Sequence, residues 1–401
     1  MGKVLTTWIY IGARKNFEVA ESEFSHATST FFDLFRFLAA VLVVMEHLSS
    51  RLYVGYGDLG SHGYGTKFLY LINLLGSPSV ILFFVLSGLF ISRNIYKSYW
   101  AGRWDWRRYT IARLSRLWIV VLPALVLTVS MDVIAASNGW VNRADGWRVL
   151  IGNALFVQTI LVPQAGSNGP LWSISNEFWY YFIFPILAFV LCSSRWRYIA
   201  PSGIVVICLL FFIGSLKSIY FILWLLGALV LLLPRPRRSR PIVLIISVLC
   251  LGAAFVARPL AATGRLFSEH AELALFWPDL AVALTMFATI RYGWSVFSAR
   301  ECLIGARVDG WIRVGASFSF SLYAIHYPII NAAYFIATTS HGFSGLEPGV
   351  VSVGIEIFAL VVLCAIAWMF ATVTEHRTDK LRALFESLVF DRRDQRAKKA
   401  Q

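Results

Sequence analysis

The sequence predicts an all-α protein that crosses a membrane many times, as a bundle of about 10 transmembrane helices plus one re-entrant or interfacial helix. Hydrophobic residues make up 58% of its 401 residues and charged residues only 14%. A water-soluble domain of this length could not keep so much apolar surface away from water. The apolar residues also occur in long runs, and a bilayer core requires ~20 of them in each helix. Composition and run length therefore both indicate a polytopic membrane protein.

Ten apolar stretches, separated by short polar loops, have the length expected of transmembrane helices. We expect them to form a membrane domain at residues 31–375, between an N-terminal tail at 1–30 and a basic C-terminal tail at 376–401. We expect no cleavable signal peptide, because the first residues are polar to mixed and the first apolar run would act as a signal anchor. The stretches lie at residues 31–50, 71–92, 112–132, 171–193, 199–214, 218–233, 241–257, 273–291, 314–338 and 349–373.

The distribution of arginine and lysine residues provides a check on these predicted helices, because both residue types are concentrated in the cytoplasmic loops of membrane proteins. Basic and neutral loops should therefore alternate along the chain, and they do, which predicts that both termini are cytoplasmic. The apolar segment at residues 147–163 would invert every later loop if it crossed the membrane, so we expect it to re-enter or lie on the outer face. The basic loops contain Arg93, Lys97, Arg103, Arg107 and Arg108, then Arg195 and Arg197, then residues 235–240, then Arg291, Arg300, Arg307 and Arg313.

The net charge of +14 does not predict a nucleic-acid partner. The lysine and arginine residues flank the predicted helices, so membrane orientation accounts for them. The five cysteines include no CxxC pair, which argues against both a disulfide framework and a metal site. We therefore expect neither nucleic acid nor a metal ion to take part in the function.

The first predicted helix carries ionisable residues that a plain membrane anchor would not need. Arg36 and His47 are eleven residues apart, about three turns plus 20°, so both project from one face with a rise of ~16 Å between them. Glu46 points about 100° away from His47 and is not expected to orient it. Ionisable groups inside a membrane usually face a bundle interior or a cavity and serve a function. The alternative is structural, with an interhelical hydrogen bond for His47 and a snorkelling Arg36.

Arg113 and Arg116 lie three residues apart at the start of the third predicted helix, and therefore on one face. Two guanidinium groups so placed could hold a phosphate through paired hydrogen bonds. Basic residues also flank cytoplasmic helix ends for orientation alone, and that alternative remains open.

Two further stretches combine polar and aromatic residues. Residues 169–181, "GPLWSISNEFWYY", place serines and Glu177 at the outer start of the fourth predicted helix. Their aromatic residues could form a rim on which a sugar stacks, although aromatic belts occur at every membrane interface, and Glu177 could simply complement the helix dipole. Residues 317–328 bury His326 near the middle of the ninth predicted helix, with serines nearby in sequence.

Five stretches occur in a fixed order along residues 31–375: "FFDLFRFLAAVLVVMEH", "FFVLSGLFI", "RLSRLWIVVLP", "GPLWSISNEFWYY" and "FSFSLYAIHYP". Together they resemble the acyltransferase 3 family of integral membrane acyltransferases, whose members O-acetylate bacterial lipopolysaccharide, exopolysaccharide and Nod factor. Each motif is weak alone, and it is their order and positions that carry the resemblance. Leu89 is a mild departure within the second motif.

The resemblance implies roles for particular residues. His47 would be catalytic, with Arg36 as the matching family arginine, and Arg113 and Arg116 would contact the acyl-CoA. The catalytic set is completed by Glu177, as the residue that orients His47 or holds acceptor hydroxyls. The expected substrate-binding residues are Trp172, Ser173, Ser175 and His326.

The function expected from these residues is transfer of an acetyl or other short acyl group from cytosolic acyl-CoA to a hydroxyl of an extracytoplasmic or lipid-linked saccharide. Acetyl-CoA is the expected co-substrate, and a neutral His47 would take the hydroxyl proton or carry the acyl group itself. The protein would lie in the bacterial inner membrane, with the lipid bilayer and polysaccharide-synthesis machinery as partners. A transporter of a lipid-linked sugar and a membrane scaffold remain alternatives.

Overall fold

A computed structural model describes residues 2–60, 63–139, 146–192, 199–236, 240–263 and 271–390. Helices make up most of these residues, and the described part of the chain contains isolated bridges but no β-strand. The predicted all-α class is therefore confirmed. Arg195, Arg197 and residues 237–239, which belong to the predicted basic loops, lie outside the described residues, as does the tail from residue 391.

Fifteen α-helices occur in the described chain. They are α1 (Gly2–Ser22), α2 (His26–Leu52), α3 (Tyr64–Ile72), α4 (Gly76–Trp100), α5 (Trp106–Ser137), α6 (Trp147–Ala154), α7 (Leu171–Cys192), α8 (Ile199–Ile213), α9 (Ser215–Leu229), α10 (Pro241–Thr263), α11 (Ala271–Phe297), α12 (Ala306–Ser317), α13 (Ser319–His341), α14 (Val350–Val373) and α15 (Thr378–Val389).

Seven helical segments of the described chain are long and apolar enough to cross a membrane. Two further apolar helices, α8 and α9, have only fifteen residues each. The protein is therefore a multi-pass membrane protein by length and composition, and the count of ten crossings stays a prediction. The seven segments are His26–Leu52, Tyr64–Trp100, Trp106–Ser137, Pro241–Ala261, Leu275–Phe297, Ser319–His341 and Val350–Val389.

The segment at residues 147–163 does not form a long helix. Its helix, α6, has eight residues, about 12 Å of length, which is far short of a bilayer core. Asn153 then holds the returning chain, since its Nδ2 donates to the Pro163 carbonyl at 2.9 Å and its Oδ1 accepts from the Ala165 amide at 3.1 Å. A single crossing by this segment is thus excluded by its length, and its position at the membrane stays a prediction.

The predicted helix at residues 314–338 is divided in two. The α12 helix ends at Ser317 and α13 begins at Ser319. The carboxylate of Glu375 accepts hydrogen bonds from the amide and hydroxyl of Ser321, at 3.1 and 2.9 Å. This contact satisfies donors in the first turn of α13, which hydrophobicity could not indicate because it comes from a distant part of the sequence.

The chain forms two compact units. The first comprises Met1–Arg103, Ser173–Ala316 and Gly345–Glu356, where α4 packs against α2 and α9, and α10 packs against α11. The second comprises Trp104–Trp172, Ser317–Ser344 and Ile357–Gln401, where α5 packs against α13 and α15.

Two glycines allow α4 and α9 to approach each other closely within the first unit. A Cβ atom on Gly88 would lie 2.0 Å from the Trp224 carbonyl oxygen, and one on Gly227 would lie 1.9 Å from the Val85 carbonyl oxygen. Small residues permit this kind of backbone approach between membrane helices. Trp224 itself is fully buried at this contact.

The N-terminal helix α1 is fastened to α4 by an ionic contact. The Glu21 carboxylate accepts hydrogen bonds from Arg93 Nε at 2.6 Å, Arg93 Nη2 at 3.0 Å and Lys97 Nζ at 2.8 Å. Partial burial by itself would raise the pKa of Glu21, but the bonds from Arg93 and Lys97 outweigh it and hold the pKa below its usual value.

We expect the docking of α1 to weaken in acid. A carboxyl whose pKa is lower in the folded state contributes stability above its unfolded pKa, and this stability is lost as the pH falls through the folded value. Protection of the α1 amides, measured as the exchange rate relative to each amide's intrinsic rate at the same pH, should therefore fall as the pH drops below the ordinary glutamate pKa of 4.5, and Glu21→Gln should show weak protection already at neutral pH. Glu18→Gln, on an exposed position of α1, is the control; equal exchange in both variants would contradict the assignment.

Candidate functional site

Helix α2 carries ionisable residues in its first half and near its C-terminal end. In the first half, Arg36 Nη1 lies 3.2 Å from Asp33 Oδ1, and the two side chains are 23% and 18% exposed. An ion pair so placed lowers the cost of keeping a guanidinium inside an apolar helix. Near the C-terminal end of α2, His47 is half-buried.

Glu46 has a structural role beside His47. Its carboxylate accepts hydrogen bonds from the Ser77 amide and the Ser77 hydroxyl, both at 2.7 Å. These atoms belong to the first turn of α4, where a carboxylate satisfies free amides and complements the positive end of the helix dipole. Gly76 leaves room for it, because a Cβ there would lie 2.7 Å from the Glu46 Cβ. Through these contacts Glu46 fixes the end of α2 that carries His47.

A buried ion pair lies in the same unit and was missed by sequence reasoning. Arg258 Nε of α10 lies 2.9 Å from Oδ1 of Asp279 in α11, and the Asp279 side chain is fully buried. Tyr220 of α9 donates to the same carboxylate at 2.8 Å. The presence of Asp279 within a predicted membrane helix was the available signal. The network links the three helices α9, α10 and α11.

Glu177 lies in a hydrogen-bonded cluster that joins two of the sequence motifs. Its Oε1 accepts hydrogen bonds from the hydroxyls of Ser87 in α4 and Tyr181 in α7. The Trp224 indole of α9 donates to Ser87 Oγ at 3.2 Å. Ser87 belongs to the "FFVLSGLFI" stretch, so the fold brings this stretch to the "WSISNE" stretch. The contacts described for Glu177 are those to Ser87 and Tyr181, and the proposed orienting of His47 by Glu177 stays a prediction.

The other polar residues at the start of α7 are mostly buried. Ser173 is 6% exposed and Ser175 is fully buried, whereas Trp172, which belongs to the second unit, is half-buried. Burial does not distinguish between two roles for these serines, which are packing within the protein and contact with an enclosed substrate. Their substrate-binding role stays a prediction.

The two predicted CoA-binding arginines project from α5 in the second unit. Both are half-buried, and the three-residue spacing on a continuous helix places them on one face. The Arg113 guanidinium lies 5.5 Å from the centre of the Tyr109 ring. At the start of α5, Asp105 caps the helix by accepting from the Arg107 amide at 2.8 Å. The helix thus preserves the three-residue spacing of the two arginines, and their binding of a phosphate stays a prediction.

His326 is fully buried in α13 of the second unit. Its Nδ1 lies 3.0 Å from the Leu322 carbonyl oxygen one turn earlier. A carbonyl can only accept, so Nδ1 carries the proton in this contact. The rings of Tyr323 and Tyr327 lie 5.9 and 6.2 Å from its ring. The predicted contact of His326 with a substrate stays a prediction.

Comparison with known proteins supports the resemblance carried by these motifs. A family model described as an acyltransferase domain matches residues 29–373. Acyltransferase MdmB of Streptomyces mycarofaciens is 27% identical over 162 residues, and the aligned segment spans 38% of this chain but only 37% of that protein. No solved structure matches the chain. Because the family model covers well over half of the sequence, the protein belongs to the acyltransferase 3 family.

Proposed function

We propose that this protein is a membrane acyltransferase that moves an acetyl group from cytosolic acetyl-CoA to a hydroxyl of an extracytoplasmic or lipid-linked saccharide, in exopolysaccharide or lipopolysaccharide. The family match supports acyl transfer. The observation that supports the residue roles is α2, which holds Arg36 in an ion pair in its first half and carries His47 next to Glu46, whose contact with Ser77 fixes the far end of the helix. The basic loops support an inner-membrane orientation with cytoplasmic termini.

In the proposed reaction, the neutral imidazole of His47 takes the proton from the acceptor hydroxyl. The hydroxyl oxygen then bonds to the thioester carbonyl carbon, and the carbon–sulfur bond breaks. The departing CoA thiolate recovers a proton from the imidazolium, so that acetylated saccharide and free CoA are the products. Arg36 lies ~16 Å from His47 along a straight helix, which is too far for direct contact. Its proposed role is to stabilise negative charge at another point along α2.

The whole reaction can be tested with purified protein, acetyl-CoA and a saccharide acceptor. Release of free CoA that depends on both the acceptor and His47 is expected of the enzyme. Movement of unmodified saccharide across a vesicle membrane, without release of CoA, would instead favour the transporter alternative.

We expect Arg113→Gln and Arg116→Gln to raise the KM for acetyl-CoA while changing kcat little. The reason is that contacts with CoA phosphates lie far from the reacting carbonyl and act in the ground state and the transition state alike. Loss of one charge-assisted contact should raise KM about tenfold or more. The matched control is Arg107→Gln, on an exposed position of α5. A fall in kcat at unchanged KM would contradict the phosphate-binding role.

Substitutions of Glu177 separate a structural role from a chemical one. Glutamine can still accept from Ser87 and Tyr181, so Glu177→Gln should retain thermal stability, whereas Glu177→Ala should lose about 1–3 kcal/mol because two hydroxyls lose their acceptor. If the charge of Glu177 also serves the reaction, Glu177→Gln should lower kcat about tenfold or more. Glu301→Gln, at an exposed position, is the control. Full activity of Glu177→Gln would leave Glu177 with a structural role alone.

A further inference from the structure

The Arg235 guanidinium occupies a buried position just after α9 that neither the motifs nor the proposed reaction explain. Its side chain is only 8% exposed, and the guanidinium carbon lies 3.9 Å from the centre of the Trp294 ring. Trp294 is itself fully buried in α11. Stacking on an indole engages the flat face of the guanidinium and leaves its N–H donors, which point outward in the guanidinium plane, to find other partners.

Those donors have no acceptor in the described part of the chain. Nε, Nη1 and Nη2 of Arg235 are all buried and make no hydrogen bond there. The nearest carboxylate oxygen, Glu23 Oε2, lies 3.6 Å from Nε, and the Glu23 side chain is 41% exposed. A contact of this length to a partly hydrated carboxylate supplies weak attraction without satisfying the donors. A buried charged group in this condition costs free energy unless a further partner satisfies it.

A second arginine is held next to the first. Arg291 lies one turn before Trp294 on α11, and its Nη2 donates to the carbonyl of Pro234, the residue before Arg235, at 2.6 Å. The other terminal nitrogen, Nη1, is buried without an acceptor among the described residues. Burial, partly offset by Glu23 and reinforced by Arg291, lowers the pKa of Arg235 to about 10. Arg235 therefore remains protonated at neutral pH.

We propose that Arg235 and Arg291 form a binding site for a phosphate group. Arg235 and Arg291 carry two positive charges, and Glu23, which is partly exposed, carries one negative charge, so the site favours an added negative charge. The free donors belong to two elements, a loop and α11, and donors on two elements suit the several oxygens of a tetrahedral phosphate better than a planar carboxylate that pairs with one guanidinium fork. All these residues belong to the first unit, whereas Arg113 and Arg116 belong to the second.

Two sources could supply the phosphate. One is CoA, whose role as donor rests on the proposed function. The other is the headgroup of an anionic phospholipid, which does not depend on that function. Both present the same group to the same donors, and the two sources can be distinguished by the ligand that binds.

The test uses the purified, delipidated full-length protein in detergent and measures affinity and ligand-induced thermal shift. The probes are CoA, short-chain phosphatidylglycerol and short-chain phosphatidylcholine as the zwitterionic control lipid. The variants are Arg235→Met, Arg235→Gln and Arg291→Gln, with Arg300→Gln, an exposed cation near the end of α11, as the matched control. Arg235→Met keeps an apolar chain over Trp294 and removes the unsatisfied donors, so its stability without ligand should equal or exceed that of the wild type.

We expect the wild type and Arg300→Gln to be stabilised by CoA or by phosphatidylglycerol, and each Arg235 or Arg291 variant to lose about tenfold or more of that affinity. Loss with CoA alone identifies the donor, and loss with phosphatidylglycerol alone identifies the lipid. The proposal is overturned if neither probe stabilises the wild type, or if Arg235→Met binds as tightly as the wild type. His47→Ala should bind both probes as tightly as the wild type. The binding measurement therefore tests the phosphate site separately from the acyl-transfer reaction.

Discussion

Replacing His47 with alanine should abolish O-acetylation of the acceptor while leaving the protein folded in the membrane. Removal of a general base typically costs 10²–10⁴-fold in rate, and no other imidazole is predicted to replace this one. The measurement is the O-acetyl content of surface polysaccharide, by proton NMR, from deletion cells that express the wild type or the variant at matched membrane abundance.

The control for this experiment is His341→Ala, at an exposed position near the end of α13, which should restore acetylation fully. Equal acetylation by His47→Ala and the wild type would make His47 structural and the proposed mechanism wrong. If the wild type itself restores no acetyl groups, the transporter alternative or a different acyl group becomes the better explanation.

Gly88→Ala should cause a large loss of stability in the first unit. The added Cβ would lie 2.0 Å from the carbonyl oxygen of Trp224, and a backbone atom cannot rotate away as the end of a flexible side chain can. Forcing α4 and α9 apart should cost about 1–3 kcal/mol or more and should separate Ser87 from the Trp224 indole. Fluorescence-detected size exclusion after a heating series is the measurement.

Gly252→Ala is the matched control, because a Cβ at that position of α10 meets no atom within 4 Å. Alanine has the higher helix propensity, so this variant should be as stable as the wild type or slightly more stable. If Gly88→Ala and Gly252→Ala melt at the same temperature, the close packing of α4 against α9 does not contribute to stability as proposed.

Much of the architecture follows from the sequence because a bilayer makes simple demands. Every backbone polar group in the hydrocarbon core must be satisfied internally, so long apolar runs become helices wherever they occur. This is why the all-α class and the main apolar segments could be predicted.

The partners and burial of individual polar side chains depend on three-dimensional contacts, which the periodicity of the sequence does not reveal. Glu177 could be selected from its position in a motif, but its attachment to Ser87 and Tyr181 depends on how α4 and α7 pack. The first turn of α13 is bonded by Glu375, more than fifty residues away in sequence. Arg235 looked like one more residue of a basic loop, and only its burial against Trp294 distinguishes it from an orientation signal.

By itself, the sequence determined that this protein lies in a membrane and is all-α. It also determined the family resemblance and the residues on which a catalytic hypothesis can be based. These depend on composition, on local periodicity and on short motifs, which are all properties of neighbouring residues. The tertiary structure alone decided which polar groups satisfy one another, because burial makes an unpaired charge or donor costly and its partner can come from any helix. Such contacts place Glu46 at the start of α4 and Glu177 between Ser87 and Tyr181. They also distinguish Arg235 and Arg291 as the proposed phosphate-binding residues.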